Sequence, residues 1–293
     1  MKRTLLLTAL VSTSVLALAA CGGSASGSGR TVIQNKGSDT LVNVAQSWAE
    51  EYGKVNPDCA VAVSGGGSGT GISAMINGTV DIANASRSMK DKEKALARKN
   101  GIDPIEFVVG YDALAVYVHK ANPIESITVE QLAAIYGEHG TVERWSQMGI
   151  TMPKGSSDEI VRVSRQNNSG TFVYFRETVL GKQGNYKLGS LDMHGSKDVV
   201  DLVEKTPGAI GYSGLAYATS HVKLVPVSIG GAAPVAPSME TAVDRTYPIA
   251  RPLFMYTAGQ PEGAVKAYMD WILSEDGQRI IQDKGYAPVK ASR

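Results

Sequence analysis

Three short segments carry residue types that hold an anion without covalent chemistry. Gly37-Ser38-Asp39-Thr40 precedes an apolar helical pattern beginning at Leu41, Ser64-Gly65-Gly66-Gly67-Ser68-Gly69-Thr70-Gly71 precedes another at Ile72, and Asn168-Ser169-Gly170-Thr171 precedes a third at Phe172. Gly lets a backbone approach a ligand closely, and Ser and Thr hydroxyls donate hydrogen bonds. A helix start adds unpaired N–H groups and the positive end of a dipole. The same residues are also the preferred helix caps, so each segment alone reads as a cap. Three in one chain leave an anion site open beside that plain reading. Two arginines strengthen it. Arg87 closes Ala83-Asn84-Ala85-Ser86-Arg87 after an apolar run, and Arg165 follows the Ile160–Val163 run, four residues before Ser169. A guanidinium at the carboxyl end of a strand, facing a helix start, suits bidentate binding of an oxyanion.

Motifs for bond-breaking chemistry are missing. The chain has no G-x-S-x-G, no G-x-x-x-x-G-K-[ST] and no H-E-x-x-H, and its Gly65–Gly71 run lacks the G-x-G-x-x-G spacing. His119, His139, His194 and His221 are scattered and suggest no metal cluster. Ser68 or Ser169 could be nominated as nucleophiles, but nothing nearby in sequence supplies a base. Many donors without a base suit binding better than hydrolysis, and no metal or cofactor is expected.

The elements that must position these segments follow from periodicity. Thr31–Gln34, Ala60–Val63, Phe107–Val109, Leu114–Val118, Ile160–Val163, Ala209–Tyr212, Val222–Val227 and Leu253–Tyr256 read as strands. Thr40–Tyr52 reads as a helix with Leu41, Val44, Ala45, Trp48 and Tyr52 on one face, and a short helix runs through Ile72, Met75 and Ile76. Asp91–Asn100 reads as a charged, exposed helix; Thr128–Tyr136 opens on a capping box of Thr128 and Gln131. Helices are further expected over Thr171–Leu180, Val199–Lys205, near Gly263–Leu273 and over Gln278–Asp283. Gly230–Pro237 is a surface loop. Repeated strand–helix alternation predicts an α/β architecture with mainly parallel sheets.

Of the 293 residues, 29 are Lys or Arg and 28 Asp or Glu, a net charge of +1 that argues against a nucleic-acid binder. The length suffices for two domains with cores of their own. Residues 1–20 have the form of a signal peptide, with Lys2 and Arg3 ahead of an apolar stretch too short and too often broken by Thr and Ser to span a membrane. Leu18-Ala19-Ala20-Cys21 resembles a bacterial lipobox, in which the cysteine thiol takes a diacylglycerol and becomes the new N-terminus. Residues 21–29, rich in Gly and Ser after Cys21, form a flexible tether. Cys59 then lacks an internal partner and is expected to be a small buried side chain.

Taken together, Gly37-Ser38-Asp39-Thr40-Leu41, Gly66–Gly71, Asp81–Arg87, Arg165-Gln166-Asn167-Asn168-Ser169-Gly170-Thr171, Gly208–Tyr212 and Tyr247-Pro248-Ile249-Ala250-Arg251-Pro252-Leu253 make the chain resemble the phosphate-binding proteins of bacterial phosphate ABC transporters, the Pst-type family. The resemblance covers essentially the whole chain beyond the signal peptide. It implies a two-lobed periplasmic-binding-protein fold of type II, with lobe one at 30–113 plus 247–293, lobe two at 114–246, and hinge crossings near Ala113 and Tyr247. Phosphate would lie in the cleft. Donors would come from Thr40 and Leu41 at the first helix start, where Ser38 and Asp39 also line the site, and from Ser68 at the second. Arg165, Ser169, Gly170 and Thr171 would bind from the other lobe.

Some family members carry an acid where this chain has Arg87. Arg87 is therefore expected to add positive charge to the site, leaving open which group reads the ligand's proton. Asp39 is the candidate, set against a plain capping role, with Asp112 in reserve. The implied partners are inorganic phosphate, a membrane ABC permease with its ATPase, and a membrane through the lipid anchor, for a monomeric, extracytoplasmic protein. A receptor for sulfate or tungstate, a secreted phosphatase, and an adhesin or sensor on the same fold are the alternatives.

Overall fold

Apolar stretches of four to eight residues fold here as strands between amphipathic helices. The computed structural model describes residues 30–289. The strands are β1 (Thr31–Gly37), β2 (Cys59–Ser64), β3 (Ile82–Ala85), β4 (Ile105–His119), β5 (Ile127–Thr128), β6 (Val161–Arg165), β7 (Leu191–Met193), β8 (Ala209–Gly214), β9 (Val222–Val225), β10 (Val227–Ser228) and β11 (Ala250–Thr257). The helices are α1 (Val42–Val55), α2 (Ser68–Ile76), α3 (Asp91–Lys99), α4 (Val129–Tyr136), α5 (Gly170–Phe175), α6 (Ser196–Lys205), α7 (Met239–Val243), α8 (Gly263–Ile272) and α9 (Glu275–Asp283).

The main sheet runs β2-β1-β3-β11-β4-β8-β6-β7, with β9 also on β4. Its two ends are parallel: β1 pairs with β2 and β3, and β6 with β7 and β8. Its middle is antiparallel, because β11 and β4 run against their neighbours. The sheet is thus mixed rather than mainly parallel. β4 changes partner along its length: it pairs with β11 through Ala113 and with β8 from Leu114. That change divides the molecule into two lobes, each with helices on its own stretch of sheet.

The predicted face of α1 is the buried one: Leu41, Val44, Ala45, Trp48 and Tyr52 are all buried, and all but Ala45 cluster with Tyr268, Met269 and Ile272 of α8 and Ile281 of α9. The Trp48 indole N–H donates to Gly277 O at 2.7 Å, so the ring is buried without an unpaired donor. Ile72, Met75 and Ile76 of α2 seal the opposite face. In lobe two, Val199, Val200 and Val203 of α6 cover one face, and Leu132, Ile135, Tyr136 and Phe175 the other. Burying each such side chain contributes roughly 1.5–3 kcal/mol, enough to fix the helix starts that the cores support.

Several boundaries differ from the sequence expectation. Phe107–Val109 and Leu114–Val118 belong to one 15-residue strand. The intervening Gly110 is packed so closely that a Cβ would meet Ile281 Cδ1 at 2.3 Å, and Asp112 is neutralised by a neighbour on β11. Val222–Val227 is interrupted at Pro226, which has no N–H to give to a ladder. The helix expected over Thr171–Leu180 begins as α5 and continues as a wider π turn over Arg176–Leu180. Cys59 is a free, buried thiol in β2, and burial pushes its pKa up. Cys21, the signal peptide and the tether lie outside the described residues.

Candidate functional site

The three Gly/Ser/Thr segments meet between the lobes. Thr40, in the turn leading into α1, places its Oγ1 3.0 Å from Oγ1 of Thr171 in the first turn of α5. Ser68 opens α2, and its Oγ accepts the Ser86 N–H at 3.0 Å. Gly170 opens α5 directly against it: a Cβ there would lie 2.2 Å from Ser68 Oγ and 2.6 Å from Ser86 Oγ. The Ser68 and Gly170 N–H groups are among those that no intrahelical carbonyl reaches. Thr40, Ser68, Ser86, Ser169 and Thr171 are all buried. Glycine serves the loop above them too. Gly67 has φ +90°, and a side chain there would collide with Asn168 O at 2.7 Å.

The cleft is closed by polar bonds across it. The Gly69 N–H donates to Asn168 O at 3.0 Å, and Asn168 Nδ2 donates to Gly66 O at 3.0 Å. The Tyr217 hydroxyl of lobe two donates to Asp39 O at 2.7 Å. Arg165, at the end of β6, donates from Nη2 to Asp39 Oδ2 at 3.0 Å and His194 O at 2.8 Å, and from Nη1 to Ser196 Oγ at 3.0 Å. Its Nε is buried without a partner. Burial lowers the Arg165 pKa, and the Asp39 carboxylate opposes that shift.

Two other arginines stand beside the junction. Arg87 is gripped by Glu93 of α3 through bonds of 2.8 Å and 2.7 Å and donates to Ser88 O, while its Nε is buried without a partner. Glu93 also accepts the Lys90 N–H at 2.8 Å. Burial would raise the Glu93 pKa, but these donors hold it below the usual range. Arg251 of β11 pairs with Asp112 of β4 at 2.8 Å, both side chains being fully buried. Burial pushes the Asp112 carboxyl up against the pull of Arg251. A cavity of about 420 Å³ between the lobes has Arg87, Lys90, Tyr174, Lys182 and Arg251 in its wall. Among the described residues, no group of three His, Cys, Asp or Glu side chains could hold a metal ion.

The model of the PBP superfamily domain matches residues 23–276. The phosphate-binding protein PstS of Pseudomonas aeruginosa is 34% identical over 271 residues, covering 88% of this chain and 83% of that protein. The chain belongs to the PstS-type family. The PstS of Bacillus subtilis is 31% identical over 303 residues, covering 98% of this chain and 95% of its own. A crystal structure of a putative phosphate ABC transporter substrate-binding protein from Clostridium perfringens, with bound phosphate, superposes with a TM-score of 0.79 at 28% identity, covering 89% of this chain and all of that one.

Of the residues that PstS-type resemblance nominates, the structure brings Thr40, Ser68, Gly170 and Thr171 to one point, with Arg165 and Asp39 linked beside them. Ser169 caps α5, its Oγ accepting the N–H groups of Thr171 and Phe172. Leu41 is turned the other way. Its side chain lies in the lobe-one core and its N–H is spent on Ser38 O, so it is not the free donor expected of it. Ser38 is buried and tied by its N–H to Asn84 O. The added charge expected of Arg87 is offset by Glu93. Asp39 does not cap α1: its Oδ1 accepts the Gly66 N–H at 2.8 Å, and its Oδ2 serves Arg165. Sequence reasoning missed Ser86, Glu93, Ser196 and the role of Arg251. Ser86 and Arg251 each left a signal, inside the Asp81–Arg87 and Tyr247–Leu253 stretches that carry part of the family resemblance.

Proposed function

We propose that this protein is an extracytoplasmic, lipid-anchored receptor that binds inorganic phosphate between its lobes and delivers it to a membrane ABC permease. The observation that carries the reading is the meeting of Thr40 and Thr171 hydroxyls, one from each lobe, at a buried point where α2 and α5 also begin. Hydroxyls, helix-start N–H groups and the spare N–H groups of Arg165 are donors, and a tetrahedral oxyanion is a cluster of acceptors. Asp39 and Asp112 are each engaged by an arginine, so neither carboxylate is free to take a proton from an attacking water. That favours binding over phosphatase chemistry, in keeping with relatives named as binding proteins.

The hinge is assigned to the β4 change of partner at Ala113–Leu114 and to the return strand near Tyr247–Ala250. Opening there would part every cross-lobe bond at once, so donors from both lobes act together only in the closed state. Ser38, Asp39, Ser169 and Arg87 support the contacting groups, with Arg87 also a candidate contact through its unpartnered Nε. Attachment through an acylated Cys21 rests on the sequence of residues 18–29; no helix among the described residues is long and apolar enough to cross a membrane. Calorimetric titration of refolded, phosphate-stripped protein with phosphate, arsenate and sulfate tests the reading. Phosphate and arsenate should bind and sulfate should bind far more weakly. Preferential sulfate binding, or no heat with phosphate, would overturn it.

A further inference from the structure

The three arginines around the cleft differ in what they have left to give. A guanidinium carries five N–H donors. Arg165 spends three and Arg87 three, and each keeps a buried Nε without a partner. Arg251 spends all five. Its Nε and Nη2 donate to Asp112 Oδ2 at 3.0 Å and 2.8 Å, its Nη1 to Ser86 O at 3.2 Å and Thr171 Oγ1 at 3.1 Å, and its Nη2 also to Thr40 Oγ1 at 3.3 Å. The Tyr174 ring of lobe two lies under the guanidinium, 5.6 Å from Cζ to centroid. Arg251 and Asp112 are register partners on β11 and β4, two residues before Leu114, where β4 changes partner.

We infer that Arg251, locked by Asp112, is a positioning residue that fixes the Thr40 and Thr171 hydroxyls as donors and ties their meeting to the hinge. A threonine hydroxyl has one proton and two lone pairs. Arg251 occupies a lone pair on each, so each hydroxyl directs its own proton away from the guanidinium. Across the 3.0 Å contact one of those protons serves the other hydroxyl. An entering oxyanion replaces that single bond with two, one from each lobe, and Arg251 needs no rearrangement. A hydroxyl that accepts from a cation is also a stronger donor, since chains of hydrogen bonds polarise one another. Because every donor of Arg251 is used, it acts through the hydroxyls and not by touching the anion. Because it sits at the crossing strands, the hydroxyls of Thr40 and Thr171 keep their alignment only while the lobes are closed about it.

The inference rests on the anion-site reading above, and a double-mutant cycle separates the two. Arg251→Lys keeps the charge but cannot serve Asp112, Thr40 and Thr171 together. Phosphate titrations are run on wild type, Arg251→Lys, Thr40→Val/Thr171→Val and the triple variant, each with its fold checked by circular dichroism. Arg251→Lys should weaken binding by roughly tenfold or more in the wild-type background, the scale of one charge-assisted hydrogen bond. In the background without the hydroxyls it should cost almost nothing. Asp112→Asn, which leaves the guanidinium in place but unanchored, should show the same dependence on the hydroxyls, and stands in if Arg251→Lys fails to fold. Equal losses in both backgrounds, or a folded Asp112→Asn protein that binds as wild type does, would overturn the positioning role alone. A wild type that binds none of phosphate, arsenate and sulfate overturns the site and this inference with it.

Discussion

In Arg165→Ala the guanidinium that crosses the cleft is lost, and the structure lets the cost be worked out. Arg165 and Asp39 form an ion pair whose side chains are only 1% and 12% exposed, so solvent does little to screen it. One charge-assisted hydrogen bond to the ligand contributes about 1.5–3 kcal/mol, or roughly 10- to 150-fold in affinity. The substitution also leaves the largely buried Asp39 carboxylate beside the proposed anion site with its cation gone, and like charges so placed repel. The expected loss in phosphate affinity is therefore on the order of 100-fold or more. Arg165→Lys should recover only part, because an ammonium cannot span Ser196 Oγ, Asp39 Oδ2 and His194 O together with a ligand. Arg165→Ala/Asp39→Asn should bind better than Arg165→Ala, since it removes the stranded charge. Isothermal calorimetry reads all three, with thermal denaturation confirming the fold. A folded Arg165→Ala protein with wild-type affinity would refute the reasoning, and a double variant no better than the single one would refute the part assigned to Asp39.

Other perturbations follow from the same geometry. Gly170→Ala puts a methyl group 2.2 Å from Ser68 Oγ, so the cleft should no longer close; phosphate binding should be abolished while circular dichroism stays native. Asp39→Asn keeps an acceptor for the Gly66 N–H but removes a negative charge; it should relax the preference for phosphate over sulfate in competition titrations, and an unchanged preference would leave Asp39 as a cross-lobe latch only. Glu93 has its pKa depressed in the folded state, so its stabilising contribution is complete above the ordinary glutamate range and is lost as pH falls through the folded value. Glu93→Gln should lose less stability on acidification than wild type, as read by denaturant melts at stepped pH. Cys21→Ser should leave the protein unacylated and released from membranes; intact-mass analysis finding residues 1–20 still on the wild-type mature protein would defeat that expectation.

What the sequence made legible was local. Gly, Ser and Thr before an apolar periodic run announce a helix start, and Thr40, Ser68, Gly170 and Thr171 do converge. The buried face of α1 was readable because its period is regular. What stayed hidden depends on distant partners. Asp112 and Arg251 are 139 positions apart and Asp39 and Arg165 are 126 apart, so nothing local pairs them. Glu93 was only six residues from Arg87 but lay in a helix dense with charge, where one inward-turned carboxylate looks like its exposed neighbours. β4 looked like two strands because Gly110-Tyr111-Asp112 breaks the apolar run, and only the β11 partner explains why a buried aspartate is tolerated there.

The same pairings constrain how the cleft attracts its ligand. Each cleft arginine has its own carboxylate: Arg165 has Asp39, Arg87 has Glu93, and Arg251 has Asp112. These six groups sum to zero charge, so they offer a dianion no net monopole. What these groups offer an anion is therefore their directed N–H and O–H donors, which act at hydrogen-bond range and when aimed. A site of that kind discriminates by geometry, since an anion that does not match the donors meets carboxylates as readily as arginines. On the receptor reading, parting the lobes would separate the aligned donors, and the three paired arginines would leave no net charge of their own to hold the anion. Neutralised arginines behind aligned hydroxyls thus suit the receptor role proposed above, in which an anion is captured selectively and then surrendered.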